Sequence, residues 1–324
     1  MVFPLRRAAG RVRKNPTTAS WGDTLFRLGT GSAGVVVLVI LGLIVLVLMV
    51  NSWRSMQTFG LGFLANPLWD PNTNQFGALA FIYGTLVTSA LALLLGVPIS
   101  IGIAIFLVEL APASVRTPLT YVVELLAAIP SVVYGLWGIF VLVPVMANYV
   151  DPALQGALGF LPIFQGFIYG YGLLTGGVIL AIMIIPTVAS LSRDALLAVP
   201  QSQREAALSL GATRWESTRM AVLSYARSGI FGAIILGLGR AFGETIAVTM
   251  VIGNANEIPL SLFGPAQTLS SLIATQILEG LQGSLQLSAI IELALVLLLV
   301  TLVINIFARI MVWRVFGERT EAMG

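Results

Sequence analysis

Gly229-Ile-Phe-Gly-Ala-Ile-Ile-Leu-Gly-Leu-Gly-Arg240-Ala-Phe-Gly-Glu244-Thr-Ile-Ala-Val-Thr-Met-Val-Ile-Gly253 is an apolar stretch of bilayer length with two charges near its middle. A charge at bilayer depth costs about 2.5–3.5 kcal/mol even on the lenient insertion scale, so its presence calls for a function or a partner. Read as one continuous helix, the spacing of four predicts Arg240 and Glu244 on one face, a turn apart. A cation and an anion carried inward on one span point to a polar route through the protein.

Working outward, the whole chain is of the same kind. Of its 324 residues 57% are hydrophobic and 10% charged; a soluble domain carries roughly 25% charged residues, so the class is an all-α polytopic membrane protein. Cysteine and histidine are absent, which removes disulfides, thiol chemistry, the commonest metal ligand and the usual proton shuttle. No metal site is expected. Lys14 is the only lysine and Asn15 follows it, so a phosphate-cradling loop ending in Lys-Ser or Lys-Thr cannot form. If ATP drives this protein, another chain binds the nucleotide with its Mg and hydrolyses it.

Hydrophobic runs predict six spans, near Ala33–Val50, Leu79–Val108, Val122–Met146, Tyr171–Val199, Tyr225–Gly253 and Leu287–Val312. Pro98, Pro130, Pro144 and Pro186 fall inside them and should kink helices where neighbours or a wet cavity satisfy the freed carbonyls. Of the basic residues, all but Arg54 and Arg240 lie in the tail before the first span, the even-numbered connections or the C-terminal end. The positive-inside rule then predicts both termini in the cytoplasm. A cleaved secretory signal is not expected, because the segment before the first apolar run is long and Asn51-Ser52-Trp53 is no small-residue cleavage site. The predicted division is a basic cytoplasmic tail over residues 1–32, a membrane domain over 33–315 with a cytoplasmic loop at 200–220, and a cytoplasmic tail over 316–324. The basic tail is read as fixing orientation and touching anionic lipid heads.

Two outer segments read as ordered. Gln267–Leu278 carries Leu269, Leu272, Ile273 and Ile277 at helical spacing, the pattern of a short amphipathic helix at the interface. Thr58–Gly77, rich in Gly, Pro, Asn and aromatics, reads as a structured loop. Asp70, Asp151, Glu257 and Glu279 are expected as exposed outer charges, and Glu124 as an interfacial one; Glu292, within the sixth span, is left without a role. Gly239 and Gly243 form a small-x-x-x-small step that predicts close packing on another helix.

The longest cytoplasmic connection contains Pro200-Gln-Ser-Gln-Arg-Glu205-Ala-Ala-Leu-Ser-Leu-Gly211. Pro200 can open a helix, the next residues are good helix formers, and Gly211 permits a sharp turn. Glu205-Ala206-Ala207 followed by Gly211 resembles the E-A-A-x-x-x-G loop of membrane subunits of bacterial ABC importers, although Ala221 and Ser224 replace the Ile and Pro usual further on. Phe76–Ser89, Ala128–Phe140 and Gly239–Val248 narrow the resemblance to the PstC-like permease subunits of phosphate importers, from about residue 30 to the end.

That resemblance implies a type I ABC importer permease fold, a multi-pass place in the bacterial inner membrane, and transport without catalysis on this chain. It implies a coupling helix at Glu205, Ala206, Ala207 and Gly211 that docks into an ATPase, and a substrate pathway at Arg240 and Glu244. The partners it implies are a PstA-like second permease subunit, a PstB-like ATPase dimer holding ATP and Mg, and a PstS-like extracytoplasmic phosphate-binding protein. Nucleic acid is not among them. Arginine offers a planar fork of donors to phosphate oxygens. Glu244 can accept a proton-bearing phosphate oxygen while repelling fully ionised sulfate. Open alternatives are a permease for molybdate, sulfate or phosphonate, an ATP-independent secondary transporter, and an Arg240–Glu244 pair that only holds helices together.

Overall fold

The structure, a computed structural model, describes residues 21–316. Most of the basic tail and nearly all of the stretch 316–324, including Arg6, Arg7, Arg11, Arg13, Lys14 and Arg319, lie outside the described residues. The first helix is Trp21–Phe59. Residues up to Val47 form one unit and the body, from Leu48 onward, another. Among the described residues six helices are long and apolar enough to cross a membrane: Thr24–Phe59, Leu79–Leu110, Ser131–Leu158, Leu173–Leu197, Arg214–Gly243 and Leu285–Val312. No strand is present among the described residues; there are two isolated bridges.

The second and fourth spans form the centre of the body. Gly84, Thr88, Ala92, Gly96, Ser100 and Ala104 are all buried, a file of small residues at intervals of four along the second span. Such a file sits on one helical face and lets another backbone approach closely. A side chain on Gly96 would come within 3.0 Å of Ile184, and one on Gly177 within 2.6 Å of the Leu91 Cβ. The Ser100 hydroxyl donates to the Gly96 carbonyl at 2.6 Å and reaches the Ile185 carbonyl at 3.2 Å across the seam, beside Pro186. Lipid is as apolar as these side chains, so dispersion at short range supplies most of the association.

The fifth span packs on the fourth by the same device. Ala233, Gly237 and Ala241 are buried; added side chains at Gly229 and Gly237 would meet Ala195 at 2.6 Å and Val188 at 2.5 Å. Gly239 and Gly243, where close packing on another helix is expected, lie off this seam. Among the described residues no packing partner lies within 4 Å of a side chain added at either; Gly239 is rotated some 200° from the Gly237 face, and Gly243 is the last residue of the helix.

Prolines and charges alter two further expectations. The third span does not begin at Val122. Helix Ala113–Ala128 stops, Ile129 and Pro130 are extended, and a new helix starts at Ser131, since a residue before proline is driven out of the helical region. Glu124 lies on the first of these helices and pairs with Arg193 at 3.0 Å. Asp151, expected as an exposed outer charge, is 2% exposed, and its Oδ1 has no hydrogen-bond partner.

The two segments read as ordered are so, but they pack on protein. Leu269–Gln276 is a helix capped by the Thr268 hydroxyl. Its Leu269 and Leu272 are fully buried with Phe63, Phe76, Phe81 and Ile290, so its apolar face meets the sixth span and the loop instead of lipid. Trp69 Nε1 donates to Gln276 Oε1 at 2.8 Å. Asp70 turns the loop by accepting the Asn72 N–H at 2.9 Å and the Thr73 hydroxyl at 2.9 Å; these bonds hold its carboxyl below the usual range.

Gly177→Ala and Gly232→Ala add the same methyl and gain the same helix propensity, about 1 kcal/mol, but only the first meets the Leu91 Cβ. Thermal unfolding of the detergent-purified chain is expected to show Gly177→Ala falling below Gly232→Ala by about 1–3 kcal/mol, an overpacking cost.

Candidate functional site

The helix carrying Arg240 ends at Gly243, and Glu244 takes an extended conformation, φ −68° and ψ 127°. The helix resumes over Ile246–Val251. The expected continuous span Tyr225–Gly253 is therefore broken at its charges, and the spacing of four does not put Arg240 and Glu244 on one face. Local bonds hold the break open. Ser270 donates to the Glu244 carbonyl at 2.7 Å, the Thr245 hydroxyl donates to the Gly243 carbonyl at 3.2 Å, and the Glu244 carboxylate accepts the Ala247 N–H at 3.3 Å. The resumed helix is wedged against the third span, where side chains at Gly135 and Gly138 would strike Met250 and Val251. Non-helical backbone at membrane depth persists where protein buries it or a wet cavity borders it.

Arg240 and Glu244 do not form an ion pair here. Among the described residues the salt bridges are Arg193 with Glu124 and Asp194, and Arg204 with Glu109. Arg240 instead donates from Nη1 to the Thr187 hydroxyl at 3.1 Å, on the fourth span immediately after Pro186. Both Arg240 and Glu244 are partly exposed. Among the described residues Thr187 is the one side chain that takes a hydrogen bond from Arg240, and a guanidinium carries five N–H donors. Among the described residues most of the fork has no hydrogen-bond acceptor.

Polar groups continue on the far side of the break. The Thr249 hydroxyl donates to the Thr245 carbonyl at 2.7 Å, Asn254 donates from Nδ2 to the Thr249 carbonyl at 2.8 Å, and Ser271 donates to Asn254 Oδ1 at 2.9 Å. Thr249 and Asn254, with Tyr169, Tyr171, Met250 and Pro265, line a cavity of about 390 Å³. The succession Arg240, Glu244, Thr249, Asn254 can hydrogen-bond a small polar solute. Sequence reasoning missed Thr187, Thr249, Asn254 and Ser270. Polar residues in or beside apolar runs were the available signal.

The loop motif sits apart, beyond the end of the fourth span. Gln201–Ser209 is a helix, and Gly211, at φ +87°, makes the left-handed turn that ends it. The Gly211 and Ala212 N–H groups donate to the Leu208 and Ala207 carbonyls at 3.0 and 3.2 Å. Thr213 and Glu216 cap the next helix reciprocally. Glu205, Ala206 and Gly211 are exposed, as is Leu210 at 89%, whereas Arg204 and Ala207 turn toward the body.

Residues 96–317 match the family described as "Binding-protein-dependent transport system inner membrane component". The chain is 47% identical over 304 residues to the phosphate transport system permease protein PstC of Mesorhizobium japonicum, covering 93% of this chain and 92% of that one. It is 44% identical to the PstC of Haemophilus influenzae, over 90% of this chain and 94% of that one, and 34% identical to a probable PstC of Methanocaldococcus jannaschii, over 87% and 90%. Among solved structures, a bacterial ABC transporter involved in the import of the acidic polysaccharide alginate has a similar fold, with a TM-score of 0.54 and 17% identity over 90% of this chain and 99% of that one.

The absence of native cysteine makes the cavity testable. Asn254→Cys is expected to react with a charged, membrane-impermeant thiol reagent added to one side of the membrane. Leu180→Cys, at a position 1% exposed, is expected to stay unlabelled on the same timescale.

Proposed function

We propose, from the premise that this chain belongs to the binding-protein-dependent transport system inner membrane component family, that it is the permease subunit of an importer of inorganic phosphate. Such a chain transports and does not catalyse, and its relatives carry the PstC name over nearly their whole length. The observation that carries the substrate reading is the broken fifth helix, with Arg240 before the break and Glu244 in it, both partly exposed. Discontinuous helices at membrane depth build the binding sites of many transporters.

In this reading the Arg240 fork takes two phosphate oxygens while Thr187 orients it, and the Glu244 carboxylate accepts a hydrogen bond from the O–H that phosphate still carries near neutral pH. Sulfate has no such proton and meets a repelling carboxylate, so discrimination comes from a built-in unfavourable contact. Gly239 and Gly243 meet nothing among the described residues, which supports a second, PstA-like permease chain on the other side of the pathway. The Thr249–Asn254 cavity then lies on the outer face, where a phosphate-binding protein delivers its load. Both termini and the Gln201–Ser209 helix face the cytoplasm, where an ATPase dimer holding ATP and Mg takes up the exposed Glu205–Gly211 surface. Transport follows if nucleotide binding favours one orientation of the spans over the other, which requires different contacts in the two states.

Three substitutions test this in the assembled complex, reconstituted in vesicles. Glu244→Gln can still accept the Ala247 N–H and also donate, so excess sulfate is expected to compete with phosphate uptake roughly tenfold better than in the native complex. Arg240→Lys loses the two-pronged contact and is expected to lower uptake by about tenfold or more with the complex intact. Near-normal uptake in that variant contradicts two-pronged recognition, and loss of assembly favours a structural role. Proline cannot adopt the φ of Gly211, so Gly211→Pro is expected to leave ATP hydrolysis running without uptake.

A further inference from the structure

We propose that Arg204 is the positioning residue through which movement of the Gln201–Ser209 helix reaches the membrane spans, with Glu109 as its anchor. This rests on reading the chain as the membrane subunit of an ATP-driven importer. Arg204 immediately precedes the exposed Glu205-Ala206-Ala207 motif, yet its side chain points the other way and is 16% exposed. Its Nε and Nη2 donate to Glu109 Oε1 at 3.3 and 3.1 Å, its Nη2 to the Leu196 carbonyl at 2.9 Å, and its Nη1 to the Val199 carbonyl at 2.6 Å. One guanidinium thus ties the loop helix to the end of the second span and to the end of the fourth.

The chemistry suits a strut. Glu109, also 16% exposed, lies in the last turn of the second span. Leu196 and Val199 lie in or just past the last turn of the fourth, where the Leu196 carbonyl takes the Val199 N–H only at 3.3 Å and the carbonyls, lacking the next turn of the helix, favour a cation. Only a planar fork reaches three acceptors placed in this way; a lysine ammonium on a single stem cannot. Below the clasp, Ala104, Val108, Leu196, Val199, Val222 and Ile230 form a buried cluster that joins the second, fourth and fifth spans. Displacement of the loop helix therefore has to move the ends of the second and fourth spans or break several charge-assisted bonds.

The fourth span carries that displacement to the site. Leu196 lies nine residues beyond Thr187, roughly 13–14 Å along one rigid helix, and Thr187 holds Arg240. The loop helix, the Arg204 clasp, the fourth span and the Arg240 guanidinium form one continuous line of bonded contacts. Continuity alone does not establish energetic coupling, which has to be measured.

The complete importer, with all its chains, is reconstituted in vesicles, and phosphate uptake and ATP hydrolysis are read from the same preparation. Uptake by the native complex comes first: its absence defeats the phosphate reading and is seen before any variant is made. Glu109→Gln and Arg204→Gln are expected to assemble, to hydrolyse ATP within about twofold of native, and to move at least about fivefold less phosphate per ATP. Arg204→Lys, which keeps the charge but not the fork, is expected to recover part of that ratio. The proposal is overturned by a native ratio in both glutamine variants. Loss of assembly in both overturns it too, since the clasp is then a folding staple. So does loss of hydrolysis together with uptake in an intact complex.

Discussion

Close packing of the second span on the fourth is the constraint from which the rest of the structure follows. In lipid no hydrophobic force draws helices together, so a fixed frame has to come from short-range contact, which needs small residues in register. Buried small residues from Thr88 to Ala104 supply it, while Gly84 at the head of the file meets the Gln267 backbone. A fourth span held this firmly can present Thr187 to Arg240 in mid-membrane and the Leu196 carbonyl to Arg204 at its end. A looser interface would leave both guanidiniums without fixed acceptors.

Against that frame the fifth helix can afford to be broken. Its first part is seated on the fourth span through Gly229 and Gly237, and its resumed part on the third through Gly135 and Gly138. Each half has its own support, so the extended residue between them is held by the tertiary structure and not by local propensity. Ser270, arriving from a distant connection, takes up the Glu244 carbonyl that the break releases. Hydrophobicity alone would favour continuing the helix; the polar partners around the break decide otherwise.

The two charged constellations share a logic and differ in environment. Among the described residues Arg240 has one neutral hydroxyl partner, Thr187. Arg204 has an acidic partner and two carbonyls, and spends its fork on the protein. The same side chain is left with donors in one place and bonded to the protein through each nitrogen in the other because of what surrounds it. The Ala113–Ala128 helix is held at the same end by the ion pair of Glu124 with Arg193.

Composition and hydropathy by themselves determined the all-helical membrane class and the six spans, because bilayer thickness and charge cost are properties of short sequence windows. The Glu205–Gly211 loop was legible for a similar reason: proline, helix formers and glycine act locally, and the structure has the helix and the left-handed turn where they lie. Arg240 and Glu244 were conspicuous as intramembrane charges, but their relation was not legible. A spacing of four implies one face only if the helix continues, and whether it continues depends on Ser270 and on Gly135 and Gly138, far away in sequence. Gly239 and Gly243 show the same limit, since neither is on the seam that packs within this chain. A small-x-x-x-small step marks a face able to pack, while only the tertiary arrangement decides which of several such faces, here the one with Gly237, meets another helix.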